Sequence, residues 1–345
     1  MKKLIFILIF VFCVVNLIVA QQKFNVQNGT KAEFYDDLET AIQKAVSGDT
    51  IYLPGVIIRV QNDLVINKKL ALFGAGWDVD SIGGLQVTEI QNANTGTDAA
   101  INFYNGSDGS LLTGCIVGGI QLGNTTEVNT PQSIQNIMIW RNTINGGINL
   151  GISSTSYLMK QMTISENVIT SGLNGYRASD CVVNNNLFVP NSYVGSFINS
   201  LISNNVTSYN LSDLIGCIVE NNFIFGGIDG SNSTFNNNAF SGNITFPNGT
   251  NNGSNNLVNQ DPSKTFTFEG GYFNCYPPTN MMIRSDSPCK NAGTDGTDIG
   301  IFGGGSPYKL GAVPLNPHID KTNIAGQLDA DGNLRVNIQV SAQTR

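Results

Sequence analysis

Arg141, Lys160 and Arg177 are the basic side chains in the middle of this 345-residue chain, and each is of a type that can remove a proton from a substrate. The acids of the same stretch are Glu166, Asp180, Asp213, Glu220 and Asp229, which would have to stand in pairs to divide acid and base roles between them. Trp140, Tyr157, Tyr176, Tyr193 and Tyr209 add rings of the kind that stack on sugars. The sole histidine, His318, lies far downstream among prolines, so no histidine mechanism is expected in this stretch. No Cys/His spacing predicts a zinc site.

What must position these groups is a repeat over residues 137–256. A short phrase ending in Asn returns seven times, at Asn142, Asn167, Asn186, Asn205, Asn222, Asn238 and Asn256, with spacings of 25, 19, 19, 17, 16 and 18 residues. Such a period belongs to a solenoid. Three places before each Asn stand Ile139, Ile164, Val183, Ile202, Val219 and Phe235; two places after stand Ile144, Ile169, Phe188, Thr207, Ile224 and Phe240. These residues are β-prone and nearly all apolar, and no helical spacing competes with them. If coils stack at the inter-strand distance of about 4.8 Å, each column becomes a ladder. Apolar ladders then line the interior, and an Asn ladder sits in a turn between strands, where Asn tolerates a left-handed backbone and its amides bond from coil to coil.

The recurring x-[IV]-x-x-N-x-[IF] phrase resembles the repeat of the right-handed parallel β-helix, the pectin-lyase-like fold, over about residues 50–275. The fold class expected is therefore all-β, a right-handed parallel β-helix solenoid with an N-terminal capping helix and a short C-terminal β tail. The resemblance implies architecture and leaves activity open, because lyases, hydrolases, esterases and adhesins share this fold. It also implies that a lyase would use a basic residue, with carboxylates holding Ca²⁺; without that activity no cofactor is expected.

Counting places from the ladder tests the acids. Arg141 and Glu166 both stand one before their Asn, which predicts an ion pair between coils. Asp180, Asp213, Glu220 and Asp229, counted at minus six, minus nine, minus two and plus seven, predict no stacked carboxylate pair. Four before the Asn, an outward column reads Met138, Thr163, Val182, Leu201, Ile218 and Thr234, too apolar for open surface and expected to be covered by another part of the chain. Five before it, Cys181 and Cys217 join an inward column, and Cys115 is expected to play the same small, buried part.

Residues 1–20, two lysines and then a long apolar run ending at Ala20, read as a secretory signal peptide, with a slightly short membrane anchor as the competing reading. Residues 21–49 are the expected N-terminal cap, where Leu38, Ala41, Ile42 and Ala45 form one helix face behind Asp36 and Asp37. Gly74-Ala75-Gly76 reads as a coil corner, and Asn92–Asp98 and Asn124–Gln132 as projecting loops suited to binding. Residues 276–312 resemble the closing segments of secreted β-helix proteins of the Bacteroidetes kind. Within them Asp295 and Asp298 read as turn residues rather than calcium ligands. Cys275 and Cys289 flank a Pro-Pro loop as a candidate disulfide. In residues 313–345 a Pro-stiffened linker precedes a strand over 333–342, whose apolar face is expected to pack back on the outward column.

With Lys2 and Lys3 removed, 16 basic and 25 acidic residues leave a net charge of −9, which speaks against nucleic acid and against collecting polyuronates by charge alone. The expected protein is exported to the cell surface or medium, has no membrane span after leader cleavage, and is a non-catalytic β-helix with a polysaccharide or cell-surface glycan as partner. Trp140, Tyr157 and Tyr176 are its candidate binding residues. The alternative is a polysaccharide lyase acting on polyuronates, with Lys160, Arg177 or Arg141 as base.

Overall fold

The computed structural model describes residues 23–78, 86–126, 132–152, 159–189, 192–245, 250–268, 277–310, 318–324, 333 and 335–341. The leader, Tyr157, Cys275 and the turn at 329–332 lie outside the described residues. Successive coils each lay one short strand in each of three long sheets of 12, 9 and 8 strands, parallel throughout the solenoid. One coil runs Thr163–Ser165 in the first sheet, Val168–Ile169 in the second and Leu173–Ser179 in the third. The chain is an all-β parallel β-helix. Among the described residues no helix is long and apolar enough to cross a membrane.

The expected columns are in register. Ile139, Ile164, Val183, Ile202, Val219 and Phe235 stack in the first sheet with no exposed surface. Ile144, Ile169, Phe188, Thr207, Ile224 and Phe240 stack likewise in the second. Between them runs the Asn ladder. Asn205 Oδ1 accepts from the Asn186 backbone N–H at 2.9 Å, while its Nδ2 donates to Val183 O, Ser203 O and Asn222 Oδ1 at 2.8, 2.9 and 2.9 Å. The same set recurs down the ladder, so each buried amide satisfies backbone groups that the corner would otherwise orphan. Cys115 is the small buried residue expected, but not in the column of Cys181 and Cys217. It occupies the ladder position one coil before Asn142, and its N–H donates to Asn142 Oδ1 at 3.1 Å.

The left-handed residue of the corner is not the ladder Asn but the one before it. Arg141, Glu166, Asn185, Asn204, Asn221, Asn237 and Asn255 all have φ between 52° and 59°. This explains the Asn-Asn doublets. The first Asn tolerates the left-handed turn, and the second bonds inward.

The N-terminal end is closed as expected. Asp37 caps the helix Leu38–Lys44 by accepting from Thr40 N at 2.7 Å, and Leu38, Ala41 and Ile42 enter the main core. Lys68 Nζ donates to Ile42 O, Gln43 O and Ala45 O, satisfying the helix's terminal carbonyls. Two antiparallel strands, Phe24–Asn28 and Lys31–Tyr35, extend the first sheet.

The closing segment covers a different column from the one expected. Residues directly after the ladder, Val168, Leu187, Val206, Phe223 and Ala239, point outward from the second sheet and are buried with Phe266, Met281, Ile283, Cys289, Ile299 and Ile301 as a second core. The left-handed column anchors this strap. Asn237 Nδ2 donates to Ala292 O, Asn221 exchanges two bonds with Thr294, Asn185 Nδ2 reaches Ile301 O and Gly303 O, and Glu166 accepts from Lys309 N. The strap therefore runs back along the coils in reverse order.

The column four before the Asn stays partly open, with Met138 37% and Ile218 50% exposed. Among the described residues of the tail, strand Val336–Ser341 pairs with His318–Ile324, part of the expected linker, in a hairpin whose Val336, Ile338 and Val340 are about half exposed rather than packed on that column.

Two outcomes follow. Asn205→Ala should cost about 3 kcal/mol or more in denaturant unfolding, because buried backbone groups on two coils lose their partner. Asn255→Ala should cost only about 1–2 kcal/mol, the price of a left-handed alanine; equal costs would contradict the division of labour in the doublet. Burial pushes the Cys115 and Cys181 thiols up to about 12 and Cys289 to about 11, and raises Cys217. All four should resist alkylation near pH 8 until the protein unfolds, as read by peptide mapping. A thiol whose folded pKa exceeds its ordinary 9.0 contributes stability that is full below pH 9 and lost as pH rises toward 12.

Candidate functional site

The sequence candidates separate onto different faces. Arg141 and Glu166 form the expected inter-coil ion pair, Nε to Oε2 at 3.0 Å, with both side chains only 1% exposed. Trp140 Nε1 donates to Glu166 Oε1 at 2.8 Å, and the Arg141 guanidinium lies 4.5 Å from the Trp140 ring centre. The second carboxylate oxygen also accepts from Lys309 N of the strap. All of these groups are consumed in fastening the strap to the first coils. Arg141, 1% exposed and paired, is closed off from a substrate, while Trp140 joins the same fastening and stays half-buried.

Lys160, Arg177 and Tyr176 fall on the outer face of the third sheet. Lys160 bridges Ser179 of the next coil, two places beyond Arg177, so the two basic side chains stand on adjacent coils. Phe197 pairs with Leu214, which sets Ser196 beside Asp213, while register shifts place Arg177 in a bulge of the coil before and Asp229 opposite the bulge in the coil after. Ala178, Phe197 and Leu214 point into the core, and Arg177, Ser196 and Asp213 just before them are half-buried. Ser196 Oγ donates to Asp213 Oδ2 at 2.8 Å, and Arg177 Nη2 lies 3.9 Å from Asp213 Oδ1, an ion pair open to solvent. Asp229 is exposed. Ser179 Oγ donates to Asp180 Oδ2 beside it.

The residues of this cluster share an offset that counting forward from the ladder hides. Asp229 had been counted forward from Asn222; counted back from Asn238 it stands nine before the ladder, as do Arg177, Ser196 and Asp213. That shared offset is the signal that would have found the cluster.

The sheet is bulged here, with register shifts at both Asn174/Ala178 and Leu211/Leu214. Tyr176, Arg177, Ser196 and Asp213 have φ of 46°, 65°, 61° and 51°, although none is Gly or Asn. Left-handed residues of these types cost about 1–2 kcal/mol each, and bulges of this sort re-aim side chains. Tyr193 completes the face. Its hydroxyl pKa is raised by burial first and then by Tyr176, while the Asn174 side chain bonds it. Two rings, two cations, three carboxylates and several hydroxyls are thus gathered on one flank.

No protein-family model matches the chain, and no curated protein matches it.

Only the strap brings the charge of Asp295 to bear on Glu220. Burial and then the Asp295 charge raise the Glu220 pKa, whereas bonds from Thr297 lower that of Asp295. Divergent proton affinities suit acid and base roles. Asp295, however, spends one oxygen on Thr297 N and Thr297 Oγ1, and Asp298 is bound to Lys290 and Asn291 N, so both hold the turn expected of them. Among the described residues no group of three or more His, Cys, Asp or Glu is placed to hold a metal ion. Cys289 is a buried thiol in the second core, and its expected partner Cys275 lies outside the described residues.

Arg141→Met should cost about 3–5 kcal/mol in denaturant unfolding, since it leaves Glu166 charged and buried. The double variant Arg141→Met/Glu166→Leu should cost less than the single one. A larger loss in the double variant would contradict a purely structural pair.

Proposed function

We propose that the protein is an exported, non-catalytic β-helix of the pectin-lyase-like kind that holds an extended glycan across the outer face of its third sheet. The observation that carries this reading is the solvent-open cluster in which Asp213 joins Arg177 and Ser196, with Asp229 exposed on the next coil and Tyr176 next to Arg177. Glycan sites combine ring faces with hydroxyl, carboxylate and guanidinium groups that fix hydroxyl directions, and they need a long, open surface. The parallel stack supplies that surface. Asn102, Gln121, Asn149 and Asn174 continue a polar outward column of the same sheet over the preceding coils.

The alternative is a polyuronate lyase, favoured by one specific observation: Lys160 and Arg177 stand on adjacent coils of one face. In that reading Lys160 takes the proton beside the uronate carboxyl, and Ca²⁺ would be bound by carboxylates such as Asp213 and Asp229.

Purified residues 21–345 should be retained by at least one immobilised polysaccharide, and should release neither unsaturated uronate ends nor reducing ends from the same polymers, with Ca²⁺ present or chelated. A rising unsaturated-end signal abolished by Lys160→Ala would establish the lyase. Reducing ends lost in Glu220→Gln would point instead to the strap-side carboxylates.

A further inference from the structure

The charge layout of the third-sheet cluster selects among glycans. Lys160 and Arg177 supply two positive charges, and Asp180, Asp213 and Asp229 supply three negative ones, within a few coils of one outer face. Arg177, Ser196, Asp213 and Asp229 come from four successive coils, with the Arg177–Asp213 ion pair and the Ser196–Asp213 hydrogen bond joining three of them. Side-chain exposures of 35% for Arg177 and 45% for Asp213 leave both within reach of a ligand.

Resting on the glycan-holding reading above, we infer that the ligand is a neutral, hydroxyl-rich polysaccharide rather than a polyuronate. A polyanion would set its carboxylates against Asp213 and Asp229, on a chain that already carries a formal charge of −7. A neutral sugar meets no such repulsion. Its hydroxyl oxygens accept from the guanidinium, and its hydroxyl hydrogens are donated to the carboxylates, so one diol can span a donor and an acceptor. Tyr176, left-handed and half-buried next to Arg177, offers a ring on which such a sugar packs. Asp213 is the specificity-determining residue. It orders Ser196 and Arg177 and accepts from the sugar.

The test is retention and affinity of residues 21–345 on a neutral β-glucan, a neutral xylan and polygalacturonate, each at low and high salt. Wild-type protein should bind a neutral polymer with affinity nearly independent of salt, because no net charge is neutralised. Asp213→Asn should lower that affinity about tenfold while the thermal midpoint holds or rises, since Asn is better tolerated at a left-handed position. Ser196→Ala is the second variant, expected to weaken binding less. Preferential binding to polygalacturonate that fades with salt would overturn this inference while leaving the glycan-holding reading intact. Unchanged affinity in Asp213→Asn would overturn the assignment of Asp213 as the specificity residue. Binding to no polymer at all would overturn both the inference and the reading.

Discussion

The structure depends on one hydrogen-bonding arrangement, the buried asparagine that closes the corner of every central coil. A corner between two strands leaves backbone N–H and C=O groups facing inward with no ladder partner, and water cannot reach them. Each ladder Asn accepts from the N–H of the Asn in the preceding coil and donates to carbonyls of both coils. The coils cannot slip past one another without breaking this chain. It is therefore the ladder that fixes which outward residues stack, and the third-sheet cluster is a consequence of that register.

A second constraint builds on the first. The left-handed residue before each ladder Asn cannot point into the core, so its side chain is free to act outside. In the later coils Asn takes this place and binds the returning strap. In the coils of Asn142 and Asn167 a buried Arg141–Glu166 pair does so instead. The strap in turn lets the second sheet carry large apolar residues on its outer side. At the third-sheet bulge the side chains of Arg177 and Asp213 stay 35% and 45% exposed. Its left-handed Arg, Ser and Asp are the strained positions that the ladder and strap leave unexplained as scaffold, which is what points to a use for them.

Much of this was legible in the chain. The period, the inward columns, the capping helix and the Arg141–Glu166 pair follow from counting places relative to the ladder. Asp229 was missed because it was counted from the Asn before it rather than the one after, and coil lengths vary enough to make the two counts disagree. The doublet Asn residues look alike in sequence, and only backbone angles separate the one that turns from the one that bonds. Cys115 was misplaced because a coil with Gly114 at the turn and Cys at the ladder shows no Asn at all. The strap was recognised as a closing segment, but its path back along the coils is encoded in side-chain-to-backbone bonds, which leave no periodic trace. The tail's alternating strand was readable; its partner strand and its open face were not.

The most direct measurement is carbodiimide labelling of carboxyl groups in the folded protein, with and without a bound neutral glycan, read by peptide mapping. The account predicts protection of Asp213 and Asp229 on binding, with Glu33 and Asp286 labelled equally in both states. Unchanged labelling of Asp213 and Asp229 in the complex, or protection confined to Glu220 and the strap, would contradict it.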